Sequence, residues 1–135
     1  MAFQGNFTCD SFKEALFKAD VDFLVDTIKI ALYDNTATLN ASTTAYTTTG
    51  EVVAAGYTAG GNTLTPTVAL SGGVSYVDFG NTSWSAAITA RGALIYKSGG
   101  TAICVLDFGS DKISTTTFTV EFPVDTSNSA LIRLS

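Results

Sequence analysis

The side chains of this chain that could do chemistry are few and scattered. Histidine is absent, which removes the commonest general base, the commonest zinc ligand and any Ser–His–Asp triad, however many serines there are. Gly56-x-x-x-Gly60-Gly61 has the outline of a phosphate loop, in which backbone N–H groups and a lysine meet the phosphates at the opening of a helix. Asn62-Thr63-Leu64 follows it, with neither the lysine nor a helical pattern, so the glycines read as a turn. Asp20, Asp22 and Asp26 form one acidic group, and Asp107 with Asp111 another. Calcium takes roughly six to eight oxygens, commonly in the order D-x-[DN]-x-[DN]-G, and neither group has that order. Asp20 and Asp22 suit the turn and cap chemistry of a helix-to-strand loop instead. Any two of the twelve carboxylates could be paired on paper for glycoside hydrolysis, yet no pair is singled out by an apolar setting. The sequence therefore points to no catalytic residue, no cofactor and no metal ligand.

Residues suited to binding are also few. Trp84 could stack on a sugar or anchor a core. Arg91 is a cation inside an apolar strand, so it must pair with a carboxylate, Asp78 or Asp107 on adjacent strands, or contact a partner subunit. Cys9 and Cys104 belong to no C-x-x-C pair, which excludes a zinc ribbon or a thioredoxin-like site. Cys104 lies in the apolar run 102–106 and reads as a buried free thiol, with a Cys9–Cys104 disulfide as the lesser alternative. N-x-S/T sequons at Asn6, Asn40 and Asn81 carry no implication without a secretory signal. The start Met1–Asn6 has neither a basic nor an apolar region and reads as no signal peptide, and no apolar run is long enough to span a membrane. Synthesis in, and retention by, the cytosol of the producing cell is expected.

Composition narrows the partners. Of 135 residues 46% are hydrophobic and only 14% charged, with 7 Lys and Arg against 12 Asp and Glu. A net charge of −5 without a basic cluster excludes electrostatic binding to a nucleic-acid backbone. About a quarter of the chain is Ser or Thr. A surface made polar by hydroxyls suits either a solvated β domain or a protein packed against copies of itself.

The elements that must position these residues follow from spacing. Ser11-Phe12-Lys13-Glu14 has capping-box spacing and predicts a helix over 11–19, docked through Phe12 and Leu16. Residues 27–34 predict a strand with Ile28, Ile30 and Leu32 on one face and Lys29, Ala31 and Tyr33 on the other. Residues 35–50 are loop chemistry, long enough to need packing on their own sandwich or a neighbour. Segments 51–53 and 63–65 flank the glycine-rich turn, and further strands are expected at 68–70, 74–79, 88–96, 102–108, 118–122 and 130–134. Gly72-Gly73 join 68–70 to 74–79, and Gly99-Gly100 join 88–96 to 102–108 through a two-residue turn with positive φ at both glycines. Seven or eight short strands with one short N-terminal helix predict a mainly β domain over 1–135, a β-sandwich or jelly-roll-like barrel. Residues 93–96 and 102–106 are apolar on both faces, so their hairpin is either central or part of a subunit interface.

In order, Asp26-Thr27-Ile28-Lys29-Ile30-Ala31-Leu32-Tyr33, Glu51-Val52, Gly56-Tyr57-Thr58-Ala59-Gly60-Gly61, Val77-Asp78-Phe79 with Trp84, Ile88–Tyr96 and Val105-Leu106-Asp107-Phe108-Gly109 resemble a small protein family of tailed-bacteriophage genomes. The resemblance runs from about Phe12 to Leu134. It implies a virion structural protein without catalytic residues. The expected role is a capsid decoration (cement) protein on the capsid exterior, made in the host bacterial cytoplasm. Its partners would be the major capsid protein and copies of itself, as small oligomers such as trimers, with no nucleic acid and no membrane. A neck, tail or fibre-attachment component is the alternative, and a carbohydrate-binding module using Trp84 and Tyr57 a further one. The candidate interface residues are Phe12, Leu16, Tyr46, Tyr57, Arg91 and Tyr96.

Overall fold

Val, Ile, Thr and aromatic residues favour a pleated backbone, and the computed structural model, which describes residues 3, 5–126 and 128–134, is mainly β with one short helix. The elements are β1 (Phe7–Thr8), α1 (Asp10–Phe17), β2 (Ile28–Tyr33), β3 (Asn62–Thr63), β4 (Pro66–Ser71), β5 (Val74–Phe79), β6 (Thr82–Trp84), β7 (Thr89–Lys97), β8 (Ala102–Ile113), β9 (Phe118–Val120) and β10 (Ile132–Leu134). All pairings among them are antiparallel. Sheets of order β1-β8-β7-β2-β3, β10-β5-β4 and β6-β9 pack as a sandwich-like fold around a continuous core. The described strands number ten rather than seven or eight, because β1, β3 and β6 are too short to show alternation. They do not join into one closed jelly-roll barrel.

The centre is the β2–β7–β8 ribbon. Ala93, Leu94, Ile95, Ala102, Ile103 and Val105 are fully buried, so the doubly apolar hairpin is central within this chain. Strand β2 departs from the expected alternation for the same reason: Ala31 and Tyr33 are as buried as Ile30 and Leu32. Strand β8 runs on to Ile113, and its last five residues are exposed. The segment 51–53 that flanks the glycine-rich turn forms no strand, and only Glu51 forms a bridge, to Tyr33.

The helix corrects the capping-box reading. It starts at Asp10 with Cys9 at the N-cap, and no side chain caps it. Cys9 is placed by the sheet, its N–H donating to the Ile103 carbonyl at 2.9 Å. Ser11 lies inside the first turn and hydrogen-bonds Thr101 Oγ1 at 2.7 Å, while Glu14 pairs with Lys18. At the other end Ala19 takes φ 57°, and the Asp20 N–H returns to the Ala15 carbonyl at 2.9 Å, a Schellman closure with Ala where Gly is usual. The docking stripe is Phe12 with Ala15. Leu16 is only half-buried and Phe17 is 97% exposed. Phe12 leads into edge-on contacts with Phe23 (5.8 Å) and from Phe23 to Phe79 (6.1 Å).

The 35–50 segment packs on its own fold. Ala37 and Leu39 are buried, Asp10 N–H reaches the Ala41 carbonyl and Ala102 N–H the Thr44 carbonyl, both at 2.9 Å. At the turns, Gly72 and Gly73 both have positive φ, whereas at 98–101 only Gly99 does. That second turn closes through Gly100 N–H to the Lys97 carbonyl at 2.9 Å, so the expectation for Gly100 was misplaced. Cys9 and Cys104 are both free and buried. Burial, and then Asp10, pushes the Cys9 thiol up to about 11, and burial raises Cys104 as well.

Gly61 shows why the glycine-rich turn is glycine-rich. It has φ +77°, and a Cβ there would lie 1.7 Å from the Ile30 carbonyl oxygen, whereas a Cβ at Gly99 (φ +73°) meets nothing within 4 Å. Gly61→Ala should therefore cost more than about 3 kcal/mol and Gly99→Ala about 1 kcal/mol. Urea denaturation midpoints check this, and equal midpoints for the two variants would contradict it.

Candidate functional site

Between Asp34 and Arg91 the sequence contains only two charged residues, Glu51 and Asp78. Both are buried, at 7% and 1% exposure. This one fact organises the candidate site: chemistry is turned inward, and residues 35–90 present a surface without charge.

Glu51 sits where the 35–50 segment meets the glycine-rich turn. Its Oε2 accepts from Tyr57 Oη at 2.7 Å and from the Gly60 N–H at 2.8 Å, and its Oε1 accepts from Tyr46 Oη. Tyr57 Oη in turn accepts from the Leu32 N–H of β2 at 2.9 Å. Tyr96 donates to the Gly60 carbonyl at 2.6 Å and stacks on Tyr46 with ring centres 4.8 Å apart. Tyr33 donates to the Thr47 carbonyl at 2.6 Å. None of the ion pairs among the described residues involves Glu51. Three neutral donors replace a cation, which suits a buried carboxylate provided that each donor stays in place.

Burial dominates the shift of all four tyrosines and favours their neutral form. Tyr96 is pushed up to about 12 by burial and then by the Glu51 charge. Tyr33, Tyr46 and Tyr57 are raised further, for Tyr46 and Tyr57 with their hydrogen bonds to Glu51 as the second cause. A depression lined by Lys29, Tyr46 and Tyr96 lies over the cluster, but both hydroxyls point inward to Glu51 and Gly60. The arrangement is a bolt between loop and sheet, with its polar atoms used up.

The six residues expected at an interface are placed as follows. Tyr46 and Tyr57 converge on the Glu51 carboxylate, and Tyr96 joins them through the Gly60 carbonyl and its stack on Tyr46. Phe12 is core. Arg91 pairs with Asp107, its guanidinium 5.9 Å from the Phe3 ring. Of the two carboxylates expected for Arg91, Asp107 is the partner. Leu16 lines a groove of about 660 Å³ between α1 and β10. Trp84 is 4% exposed, 5.9 Å from Tyr57 and 6.3 Å from Phe118. The two rings of the sugar-stacking reading are thus in the core.

Most other polar candidates are locally spent. Asp22 accepts from the Leu24 N–H, and Asp26 accepts from the Asp22 N–H and pairs with Lys97. The Asp22 hydrogen bond and then Lys97 lower the Asp26 pKa. Asp107 and Asp111 diverge, to Arg91 and to Asn35. Among the described residues no three His, Cys, Asp or Glu side chains gather as a metal site. The sequon residues Asn6, Asn40 and Asn81 accept backbone N–H bonds from Asp107, Ser42 and Phe122. Asp78 accepts from the Phe79 N–H at 3.0 Å, while its Oδ2 and Trp84 Nε1 lack a protein partner. Burial raises the Asp78 pKa.

What the residue-by-residue reading missed is the surface. Val53, Leu70, Ile113 and Leu134 are large apolar side chains more than half exposed. Two of them, Val53 and Leu70, lie in the stretch 52–77, which has no charged residue. That gap was visible in the sequence as a run without Asp, Glu, Lys or Arg. Comparison of the chain with protein-family models, with curated proteins and with solved structures gives no match.

Two outcomes follow from the Glu51 cluster. Glu51→Ala leaves the Gly60 N–H and the Tyr57 hydroxyl without their acceptor and should cost about 2–5 kcal/mol. Glu51→Gln keeps the Oε2 acceptor, and the Tyr46 hydroxyl can reverse to accept, so it should cost less than half as much. Equal thermal shifts for the two variants would contradict the assigned bonds. The tyrosines set an alkaline limit. Their folded pKa values lie above the ordinary value of 10.0, so the unfolded chain releases protons first, and stability is full below about pH 10 and lost as pH rises toward about 12. Tyrosinate absorbance should therefore rise together with loss of the fold. Ionisation of all the tyrosines in a chain still folded would contradict this.

Proposed function

We propose that this chain is a capsid decoration protein of a tailed bacteriophage, attached to the exterior of the major capsid shell after synthesis in the host cytoplasm. It works by adhesion, through contacts with the major capsid protein and with copies of itself, and assigns no residue to catalysis. The observation that carries this reading is the uncharged surface of residues 35–90, with exposed Val53, Val68 and Leu70 and both of its carboxylates buried. Apolar and hydroxyl groups are buried at little desolvation cost, whereas charged surfaces resist it. The ordered resemblance read from residues 12–134 agrees with this reading, and the hydroxyls of Tyr33, Tyr46, Tyr57 and Tyr96 are bonded inside the fold.

Contact through a neutral surface fixes the test. Purified particles should carry the chain in the high copy number of capsid subunits, rather than the few copies of a neck or tail ring. Raising the salt concentration should release little of it, because few ion pairs are there to be screened. Ring-like copy number would move the protein to the neck or tail, and wholesale release by salt alone would overturn adhesion through the neutral surface.

A further inference from the structure

The sheet β10-β5-β4 ends at β4, whose second side pairs with no strand among the described residues. The register fixes which atoms that side offers. Ser71 faces Val74 across the two-residue turn, and the Gly80 N–H donates to the Thr65 carbonyl at 3.1 Å. The odd-numbered residues therefore bond to β5, and Pro66, Val68 and Leu70 direct their backbone polar groups outward. Pro66, with no N–H to give, falls at an outward position, where a proline is tolerated in an edge strand.

The side chains of the same three residues share one face with Phe79, Val77 and Ser75 of β5 and with Ile132 and Leu134 of β10. The body of the protein covers one end of this face, Phe79 and Val77. At the turn end Leu70 is 73% and Leu134 58% exposed. An apolar face thus runs past what its own chain covers. Residues 52–77 carry no charge in a chain of net −5.

We infer that β4 pairs antiparallel with the β4 strand of a second copy of this chain, about a two-fold axis at Val68. In that register the two Val68 residues exchange both backbone bonds. Each Leu70 N–H reaches the Pro66 carbonyl of the other copy, and the one donor missing from the ladder is the one proline lacks. The exposed turn end of each face then lies beside the covered Pro66–Phe79 end of the other, so each body covers the other's Leu70. The two three-stranded sheets become one of six. Two acidic chains meet through neutral segments, without the like-charge repulsion by which an edge strand is normally kept from self-pairing. Antiparallel pairing of identical edges closes on itself, which makes a dimer and excludes a trimer through this surface.

The inference rests on the reading of the chain as a self-associating structural protein, and the two are tested separately. Sedimentation of the purified chain over the micromolar range should show a monomer–dimer equilibrium. Val68→Lys sets like charges against each other at the axis and should weaken the dimer by roughly tenfold or more. Val68 is already 42% exposed, so the monomer's thermal midpoint should stay unchanged. Val68→Cys brings two Cα atoms to about 5.5 Å, within disulfide reach, and should cross-link to a covalent dimer on mild oxidation. Ala69→Cys faces the opposite side and should not. A strict monomer, a trimer, a dimer indifferent to Val68→Lys, or equal cross-linking at 68 and 69 would each overturn the inference. A dimer of this kind that fails to bind particles leaves the inference standing and removes the decoration role; particle binding by a strict monomer does the reverse.

Discussion

The burial of Glu51 without a cation is the constraint on which the rest of the structure depends. A carboxylate in a core is costly unless each lone pair it turns inward is met by a donor. Here the donors come from three places that would otherwise be independent: Tyr46 from the 35–50 segment, Tyr57 and the Gly60 N–H from the glycine-rich turn, and, through Tyr57, the Leu32 N–H of β2. Satisfying one carboxylate thus fixes two long loops against the β2–β7–β8 ribbon. The close approach of Gly61 to Ile30 is the backbone's side of the same arrangement.

That constraint also shapes the outside. Once Glu51 and Asp78 are inside, the residues from 35 to 90 offer hydroxyls, backbone and apolar side chains to their surroundings. The charge that remains lies on residues 10–34 and 91–133, where much of it is spent locally, as in Lys97 with Asp26 and Arg91 with Asp107. A protein built in this way repels little where residues 35–90 reach its surface and carries its charge elsewhere. The proposed adhesion and the two-fold pairing of β4 both draw on the first.

The strands that alternate or run apolar were legible: β5 lies at the residues its pattern indicated, and β2, β7 and the first half of β8 nearly so. The helix was legible in place but not in mechanism, because Cys9 is set at the N-cap by a sheet bond from a residue far away in sequence, which local capping chemistry does not encode. Residues 51–53 form no strand although Val52 and Val53 favour one: the Val52 N–H donates to the Leu32 carbonyl at 2.9 Å, but pairing with β2 stops at the Glu51–Tyr33 bridge and Val53 is 97% exposed. The tyrosines at 46, 57 and 96 were among the interface candidates, but nothing in their spacing shows that Tyr46 and Tyr57 share one carboxylate or that Tyr96 bonds the Gly60 carbonyl beside it. The uncharged stretch 52–77 was legible throughout and is noticed only when charge is read as a gap rather than as a cluster.

The central claim, that one buried carboxylate holds both loops to the sheet, is tested most directly by amide hydrogen exchange at Gly60. Its N–H donates to Glu51 at 2.8 Å although it belongs to a turn. The account predicts that Gly60 exchanges only with global unfolding, as slowly as Leu94 in the central strand. Exchange of Gly60 as fast as that of the exposed turn residue Gly99, in a chain whose β7 amides remain protected, would contradict it.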